Sequence, residues 1–340
     1  MTRKILPMGL HDYRTYPNCS NLFSMIINHE ETLPWISNNF IQVVYFSSLQ
    51  KLDYINKTEC FYDPIMFDCP WLNIQSTHRG FIAHKWEGSI VNFVMDNIDS
   101  GYYVYFLADQ FYISESDSYQ KNEHNHDMFV YGYDKELRRL YIADNMKQGK
   151  YIQTTCSFEE MEQAYKNADL SKDWFDRRVF SFSYKKDHFS VYQKYLNFDT
   201  RFVVDSISRY INSVTPDLDI CQENIYGIKV YEAMQDYLTR MSTGEVELDL
   251  RPIYFLHEHK KLMLLRMQYM LNNGYLRNQE IYERYEEIKK IHEVCLGLLM
   301  KFIYARQEAL ILKVKDFLIL SVAKEKEILS DLIADAVGAT

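Results

Sequence analysis

Residues 124–145 read HNHDMFVYGYDKELRRLYIADN, and two apolar runs within them indicate the local architecture. The first run, 128–133, is rich in aromatic and β-branched residues, which favours a β-strand. It ends in Gly132-Tyr133-Asp134, which is a turn signal. The second run, 140–143, is the expected return strand. This stretch therefore predicts a β-hairpin.

The predicted hairpin has a histidine at the start of its first strand and an aspartate at the end of its second. In an antiparallel pair, the start of one strand lies beside the end of the next, so His126 and Asp144 should be neighbours. A carboxylate there can hold the tautomer and orientation of the imidazole while the other ring nitrogen faces a thiol. The hairpin therefore predicts a histidine base and an aspartate that orients it.

The composition changes near residue 190, since all four Trp lie before it and long amphipathic stretches follow it. We predict an α+β domain with an antiparallel sheet over 1–190, followed by an all-helical domain over 191–340. The predicted strands are 40–46, 102–107, 128–133, 140–143 and 179–184, and the predicted helices are 20–29, 87–97, 159–167, 255–273, 279–308 and 313–337.

The overall composition is that of a globular protein. The chain has 340 residues, of which 47% are hydrophobic and 25% are charged, so it can bury a sizeable core. Its formal net charge is −9. Because phosphates are bound by a basic face, this charge argues against a nucleic acid as partner.

The sequence also predicts where the protein resides. It contains no apolar run of membrane-spanning or signal-peptide length, so we expect no membrane partner. The six cysteines show no CxxC pair and no repeated spacing, which predicts reduced thiols in the cytoplasm. Cys60 and Cys69 lie in a loop without a partner histidine, and we interpret them as structural.

Cys19 is the candidate nucleophile. It follows Tyr16-Pro17-Asn18, where a loop ends, and it precedes an apolar stripe at helical spacing. In the first turn of a helix, unpaired backbone N–H groups and the helix dipole can lower the pKa of a thiol. The alternative is a buried structural cysteine. With His126 and Asp144, Cys19 would complete a set of nucleophile, base and orienting carboxylate.

These segments together resemble the papain-fold cysteine peptidases that process bacteriocin leaders, and more closely the butirosin biosynthesis protein H-like family. The resemblance covers residues 10–185. It is most specific over 101–151, where GYYVYFLADQFYIS, HDMFVYGYD, LYIADN and GKY follow one another. It implies a papain-like fold for the N-terminal domain and the catalytic triad Cys19, His126 and Asp144.

The resemblance also implies a function. Family members are acyltransferases of natural-product biosynthesis: they take an acyl group from the phosphopantetheine thioester of an acyl or peptidyl carrier protein and pass it to an amine. This implies an acyl-Cys19 intermediate, with a carrier protein and a small amine (a diamine or an amino sugar) as partners. No cofactor of its own and no metal are implied. A cysteine peptidase with the same triad and an inactive carrier- or peptide-binding module are the alternatives.

The sequence departs from the papain pattern at Tyr13. Papain-type enzymes carry a glutamine six residues before the cysteine, where it helps to form the oxyanion hole. Here the backbone N–H of Cys19, or the side chain of Asn18 or Tyr13, would have to stabilise the oxyanion.

Two further polar residues are candidates for binding the substrate. Asp109 follows an apolar run and could line the pocket or bind the amine, and a turn-forming aspartate is the equal alternative. His124 could line the same pocket or form a metal site with His126 and Asp127, although a solvated loop histidine is favoured.

Four pairs of basic residues are interpreted as solvated surface. Because oppositely charged surfaces attract each other during association, one of these pairs could meet an acidic carrier protein. The pairs are 138–139, 177–178, 185–186 and 260–261.

Overall fold

The computed structural model of the chain describes residues 2–55, 65–187, 196–216 and 223–337. Its strands are β1 (Arg3–Ile5), β2 (Val43–Phe46), β3 (Lys51–Tyr54), β4 (Leu72–His78), β5 (Tyr103–Asp109), β6 (Asn125–Asp134), β7 (Arg139–Lys147), β8 (Lys150–Ser157), β9 (Arg178–Tyr184) and β10 (Ile225–Tyr226). Its helices are α1 (Pro17–Ile26), α2 (Leu33–Asn38), α3 (Arg79–Lys85), α4 (Ile90–Asp99), α5 (Phe158–Lys166), α6 (Thr200–Ile211), α7 (Val230–Thr243), α8 (Arg251–Asn272), α9 (Gln279–Ala305) and α10 (Glu308–Asp335).

The chain divides into two compact units that are not consecutive in sequence. The first contains residues 1–30 and 66–190, and the second contains residues 31–65 and 191–340. The sequence predicted one boundary at 190, so the position of residues 31–65 differs from that prediction. The reason is packing: α2 and the β2-β3 hairpin contact α7 and α8.

An antiparallel sheet in the order β4-β9-β5-β6-β7-β8 forms the centre of the first unit, and β1 also pairs with β6. All seven residues of β5 are buried, as expected for a central strand that is covered on both faces. The predicted α+β class with an antiparallel sheet is therefore confirmed. The hairpin expected within 124–145 is formed by β6 and β7, and both strands are longer than the apolar runs that predicted them.

A β-bulge divides β6 into two parts. Val130 pairs with Ile142 and Gly132 with Tyr141, so β6 contains one extra residue at this point. Beyond the bulge, Gly132 lies against β1 so closely that an added Cβ would be 2.8 Å from the carbonyl oxygen of Lys4. The close approach of β1 therefore requires a residue without a side chain at position 132.

Helix α1 is buried along its whole length. It begins at Pro17, three residues before the predicted start, because proline is favoured in the first turn of a helix. Two of its buried polar side chains have internal partners, as buried polar groups generally do. Ser20 Oγ donates to the carbonyl oxygen of Tyr13 at 2.9 Å, and Asn21 Oδ1 accepts from the hydroxyl of Tyr151 at 2.6 Å.

The second unit contains a small sheet, which corrects the prediction of an all-helical domain. Its order is β10-β2-β3, and all pairs are antiparallel. Val43 and Val44 of β2 are fully buried. The ring of Tyr54 lies 4.5 Å from that of Phe255 on α8, measured between centroids. Burial of this apolar hairpin against the helices explains why it belongs to the second unit, although it lies early in the sequence.

The predicted helices of the C-terminal part are present as α8, α9 and α10. Each buries one set of side chains and exposes another, as amphipathic helices do. Among the helices that the structure describes, none is both long and apolar enough to cross a membrane.

Lys260 corrects the interpretation of the pair 260–261 as solvated surface, because its side chain is fully buried within α8. Its Nζ donates to both carboxylate oxygens of Glu325 on α10, at 2.6 and 2.8 Å. A buried charge is tolerated only with such a partner, and helical periodicity alone did not reveal this one.

Candidate active site

His126 and Asp144 lie on adjacent strands and are in direct contact. His126 Nδ1 is 2.8 Å from the Asp144 carboxylate. Phe129 of β6 pairs with Ala143 of β7, and side chains alternate along strands, so His126 and Asp144 project from the same face of the sheet. Because a carboxylate only accepts hydrogen bonds, Nδ1 must donate, which leaves Nε2 of the neutral ring as an acceptor.

Asp144 is fully buried and has three donors. Besides His126, the backbone N–H of Asn145 donates to its Oδ1 at 2.6 Å, and Nε2 of Gln110 donates to its Oδ2 at 2.7 Å. Hydrogen bonds of this kind stabilise the charged form of a carboxyl group inside a protein. The three donors therefore fix the orientation of the carboxylate beside His126.

Gln110 is a residue of this site that sequence reasoning missed. It is buried, and it directly follows Asp109 at the end of β5. The available signal was its position in the segment LADQFY, one residue beyond a predicted strand and a candidate pocket residue. Only the fold shows that its amide faces the second strand of the hairpin.

Cys19 occupies the third position of α1 and is 4% exposed. The segment that leads into α1 lies next to the end of β7, since Nδ2 of Asn145 donates to the carbonyl oxygen of Thr15 at 3.2 Å. Thr15 is four residues before Cys19, and Asn145 directly follows Asp144. The fold therefore brings the helix start that carries Cys19 to the strand end that carries Asp144.

Asn18 lies beside the candidate nucleophile and is also buried. Its Oδ1 accepts a hydrogen bond from the backbone N–H of Cys19 at 2.9 Å. This N–H was one of the predicted oxyanion donors. For an oxyanion to accept from the Cys19 N–H, the side chain of Asn18 would first have to rotate away from this N–H. The same rotation would turn the NH2 group of Asn18 toward the oxyanion.

Tyr13 packs against α1. Its ring centroid lies 4.4 Å from that of Phe23, and its backbone N–H donates to Nδ1 of His11 at 3.2 Å. His11 was not singled out from the sequence, yet its Nε2 lies 2.9 Å from Oγ of Ser24. Burial, together with the charge of Arg14, lowers the pKa of His11 to about 4, so this ring is neutral at pH 7.

Asp109 is a buried turn-forming residue. Its Oδ1 accepts from the backbone N–H of Phe111 at 3.0 Å and from that of His124 at 2.9 Å. These bonds join the end of β5 to the start of β6. One oxygen of the carboxylate is therefore held by backbone N–H groups, as in a turn-forming aspartate.

His124 is exposed, and its ring centroid lies 5.4 Å from that of His126. Asp127 Oδ1 is 3.6 Å from His126 Nδ1, which is longer than a hydrogen bond. Oδ2 of Asp127 accepts from the hydroxyl of Tyr105. Within the residues that the structure describes, no three His, Cys, Asp or Glu side chains converge as metal ligands would.

The structure describes three cysteines besides Cys19, and all four are buried. Cys69, Cys156 and Cys295 are buried, and burial raises the pKa of each thiol, to about 12 for Cys295. A raised pKa reduces the thiolate fraction and thus reactivity. Cys60 and Cys221 lie outside the described residues.

Comparison with protein-family models and with curated proteins gives no match for the chain.

Proposed function

We propose that the chain is an amide-forming acyltransferase whose first unit is a papain-like catalytic domain. The observation that carries the proposal is the hydrogen bond between His126 Nδ1 and the buried Asp144, beside the helix start that holds Cys19. Nucleophile, base and orienting carboxylate are the groups that acyl transfer through a covalent intermediate requires. The resemblance to the butirosin biosynthesis protein H-like family supports transfer from a carrier protein to an amine.

In the first step, His126 Nε2 takes the proton of the Cys19 thiol. The thiolate attacks the carbonyl carbon of a phosphopantetheine thioester on a carrier protein, and a C–S bond forms. When the tetrahedral intermediate collapses, the C–S bond to phosphopantetheine breaks, and the departing sulfur takes the proton from His126. Cys19 then holds the acyl group as a thioester, and no net bond energy is lost because one thioester replaces another.

In the second step, an amine nitrogen attacks the carbonyl carbon of acyl-Cys19. His126 takes a proton from the nitrogen, and Asp144 stabilises the imidazolium that results. The C–S bond to Cys19 breaks, sulfur keeps the electron pair and takes the proton back from His126, and the amide leaves. Because an amide is more stable than a thioester, this step needs no nucleotide.

The developing oxyanion needs donors in both steps. The first turn of α1 supplies backbone N–H groups and the positive end of the helix dipole close to Cys19. Rotation of Asn18 away from the Cys19 N–H would make this donor available. Tyr13, which takes the place of the papain glutamine, is anchored on Phe23 at the same helix.

The acceptor that we propose is a cationic small molecule. The net charge of −9 favours the approach of an amine or polyamine. A narrower resemblance to the transglutaminase-like amide synthetase of closthioamide assembly suggests a diamine, and the wider family suggests an amino sugar.

Intact-protein mass spectrometry tests the proposal. The protein is mixed with acyl-loaded carrier proteins, first without an amine and then with simple diamines. We expect a mass increase equal to the acyl group on the unmodified protein and on Cys69→Ala, which removes a different buried thiol. Cys19→Ala should show none. Addition of the diamine should discharge the adduct and release an amide.

The same assay separates the alternatives. Cleavage of peptides without an adduct from any carrier would contradict the proposal and favour a cysteine peptidase. Neither an adduct nor cleavage would favour an inactive binding module. Alkylation provides a check that needs no substrate: iodoacetamide should modify Cys19 much faster than Cys69, Cys156 or Cys295 in the native protein, and equal rates would contradict a nucleophilic Cys19.

A further inference from the structure

Gln110 is a buried glutamine whose two amide atoms both have partners. Its Nε2 donates to Asp144 Oδ2 at 2.7 Å, and its Oε1 accepts from Ser116 Oγ at 2.8 Å. Because an ionised carboxylate cannot donate, the NH2 group must be the side of the amide that faces Asp144. The side chain is 1% exposed, so water does not compete for these bonds.

The backbone holds Gln110 in the same place. Its N–H donates to the carbonyl oxygen of His124 at 2.9 Å. Asp109 accepts from the N–H of Phe111, which fixes the short helical turn that begins at Gln110. The residue therefore connects the end of β5, the start of β6 and, through Asp144, strand β7. A side chain anchored in this way has little freedom to move when its partner moves.

We propose that Gln110 is a positioning residue of the candidate active site, which holds the Asp144 carboxylate in the orientation that receives the Nδ1–H of His126. The inference rests on the proposed role of His126 as the base for Cys19. Asp144 Oδ2 accepts from both Gln110 Nε2 and His126 Nδ1. Loss of the amide would remove one donor from a buried anion and free its carboxylate to rotate.

The other ionisable groups that face His126 do not replace Asp144. Asp127 Oδ1 lies 3.6 Å from His126 Nδ1, and this carboxylate also accepts from the hydroxyl of Tyr105. The ring of His124 is exposed, at 5.4 Å between centroids, and it offers no carboxylate to accept the Nδ1–H of His126. Asp144 is the acceptor that sets the tautomer, and Gln110 is the side chain that orients it.

Two variants remove the amide from Asp144: Gln110→Met keeps the length of the side chain, and Gln110→Asn keeps an amide that is too short to reach. In both, the anion loses a charge-assisted hydrogen bond. We expect the carboxylate to lose its fixed orientation, so that the ring of His126 populates both neutral tautomers. Gln153→Met is the matched control, because this glutamine lies on β8 opposite Ala143 and its side chain is exposed.

Nitrogen-15 NMR of the full chain, labelled at histidine, measures this effect directly. The spectrum of His126→Gln identifies the His126 signals among those of the ten histidines. In the unmodified protein and in Gln153→Met, we expect one tautomer with its proton on Nδ1. In the two Gln110 variants, we expect a mixture of the two neutral tautomers. A single tautomer with its proton on Nδ1 of His126 in both folded Gln110 variants would overturn the inference.

The alkylation rate of Cys19 separates this inference from the proposed function. If His126 acts as the base, both Gln110 variants should slow the reaction with iodoacetamide about tenfold near neutral pH. If Cys19 of the unmodified protein is as slow as the other buried thiols, the proposed function fails. The NMR result would still decide whether Gln110 orients Asp144 and His126.

Discussion

Lys260 and Glu325 form an ion pair that has no solvent exposure in the second unit. Lys260 Nζ also lies 3.2 Å from the hydroxyl of Tyr210 and 3.1 Å from Nδ1 of His259. The hydroxyl of Tyr285 donates to Glu325 Oε1. The pair thus connects α8 with α10 inside a polar network, where each charge depends on the other for its stability.

Lys260→Met should destabilise the second unit by about 3–5 kcal/mol, because it leaves the Glu325 carboxylate buried without its cation. Chemical denaturation followed by circular dichroism measures this loss. Lys313→Met, at an exposed position of α10, is the control and should change the free energy of unfolding by less than about 0.5 kcal/mol.

The double variant Lys260→Met/Glu325→Leu should be more stable than Lys260→Met alone, since neither charge remains. Equal free energies of unfolding for Lys260→Met and the double variant would contradict the expected cost of a buried Glu325 carboxylate without its cation.

Asp144→Asn should reduce the rate of Cys19 acylation by about three to four orders of magnitude, because the amide can donate to His126 and stabilise the wrong tautomer. The stability should also fall, by about 1–3 kcal/mol, because the amide has one acceptor oxygen for the three donors around Asp144, so the rate is compared on folded protein. Single-turnover mass spectrometry measures the rate. Asp176→Asn, in an exposed turn at φ 50°, should acylate at the unmodified rate. A rate for Asp144→Asn within about threefold of the unmodified protein would contradict the orienting role of Asp144.

His11 should make the first unit sensitive to acid. Its folded pKa is about 4 because of burial, whereas the unfolded chain titrates near 6.5. Between these values the unfolded state binds more protons, so the free energy of unfolding should rise with pH and level off above 6.5. The full change is on the order of 3 kcal/mol.

Urea unfolding at pH about 4.5 and about 7.5 tests the role of His11. His11→Gln should reduce the difference between the two conditions, and His84→Gln, at an exposed position of α3, should leave it unchanged. If both variants show the same pH dependence as the unmodified protein, the buried His11 is not its source.

Gly132→Ala should destabilise the first unit by about 1–3 kcal/mol, because its Cβ would lie 2.8 Å from the carbonyl oxygen of Lys4 and force β1 away from β6. Gly297→Ala is the matched substitution. No atom lies within 4 Å of the Cβ position at Gly297, which is inside α9, so alanine should stabilise that helix by about 0.5–1 kcal/mol. Thermal unfolding of both variants measures the contrast, and the same sign for both would contradict the steric argument.

The hairpin and the main helices could be predicted from the sequence because the signals that specify them are local. Aromatic and β-branched runs within 124–145 predicted β6 and β7, although the expected turn residues 132–134 lie inside β6, and helical periodicity predicted α8, α9 and α10. The closeness of His126 and Asp144 followed from the antiparallel geometry of one hairpin, without any knowledge of distant residues.

The remaining features depend on contacts between segments that are far apart in the chain. The pairing of β2 with β10, the burial of Lys260 against Glu325 and the contact of Gln110 with Asp144 leave no periodic trace in the sequence. Periodicity reports which face of an element is apolar, whereas it does not report which partner covers that face. The identity of a buried polar partner is set by packing of the whole chain, and for this reason Gln110 emerged only from the fold.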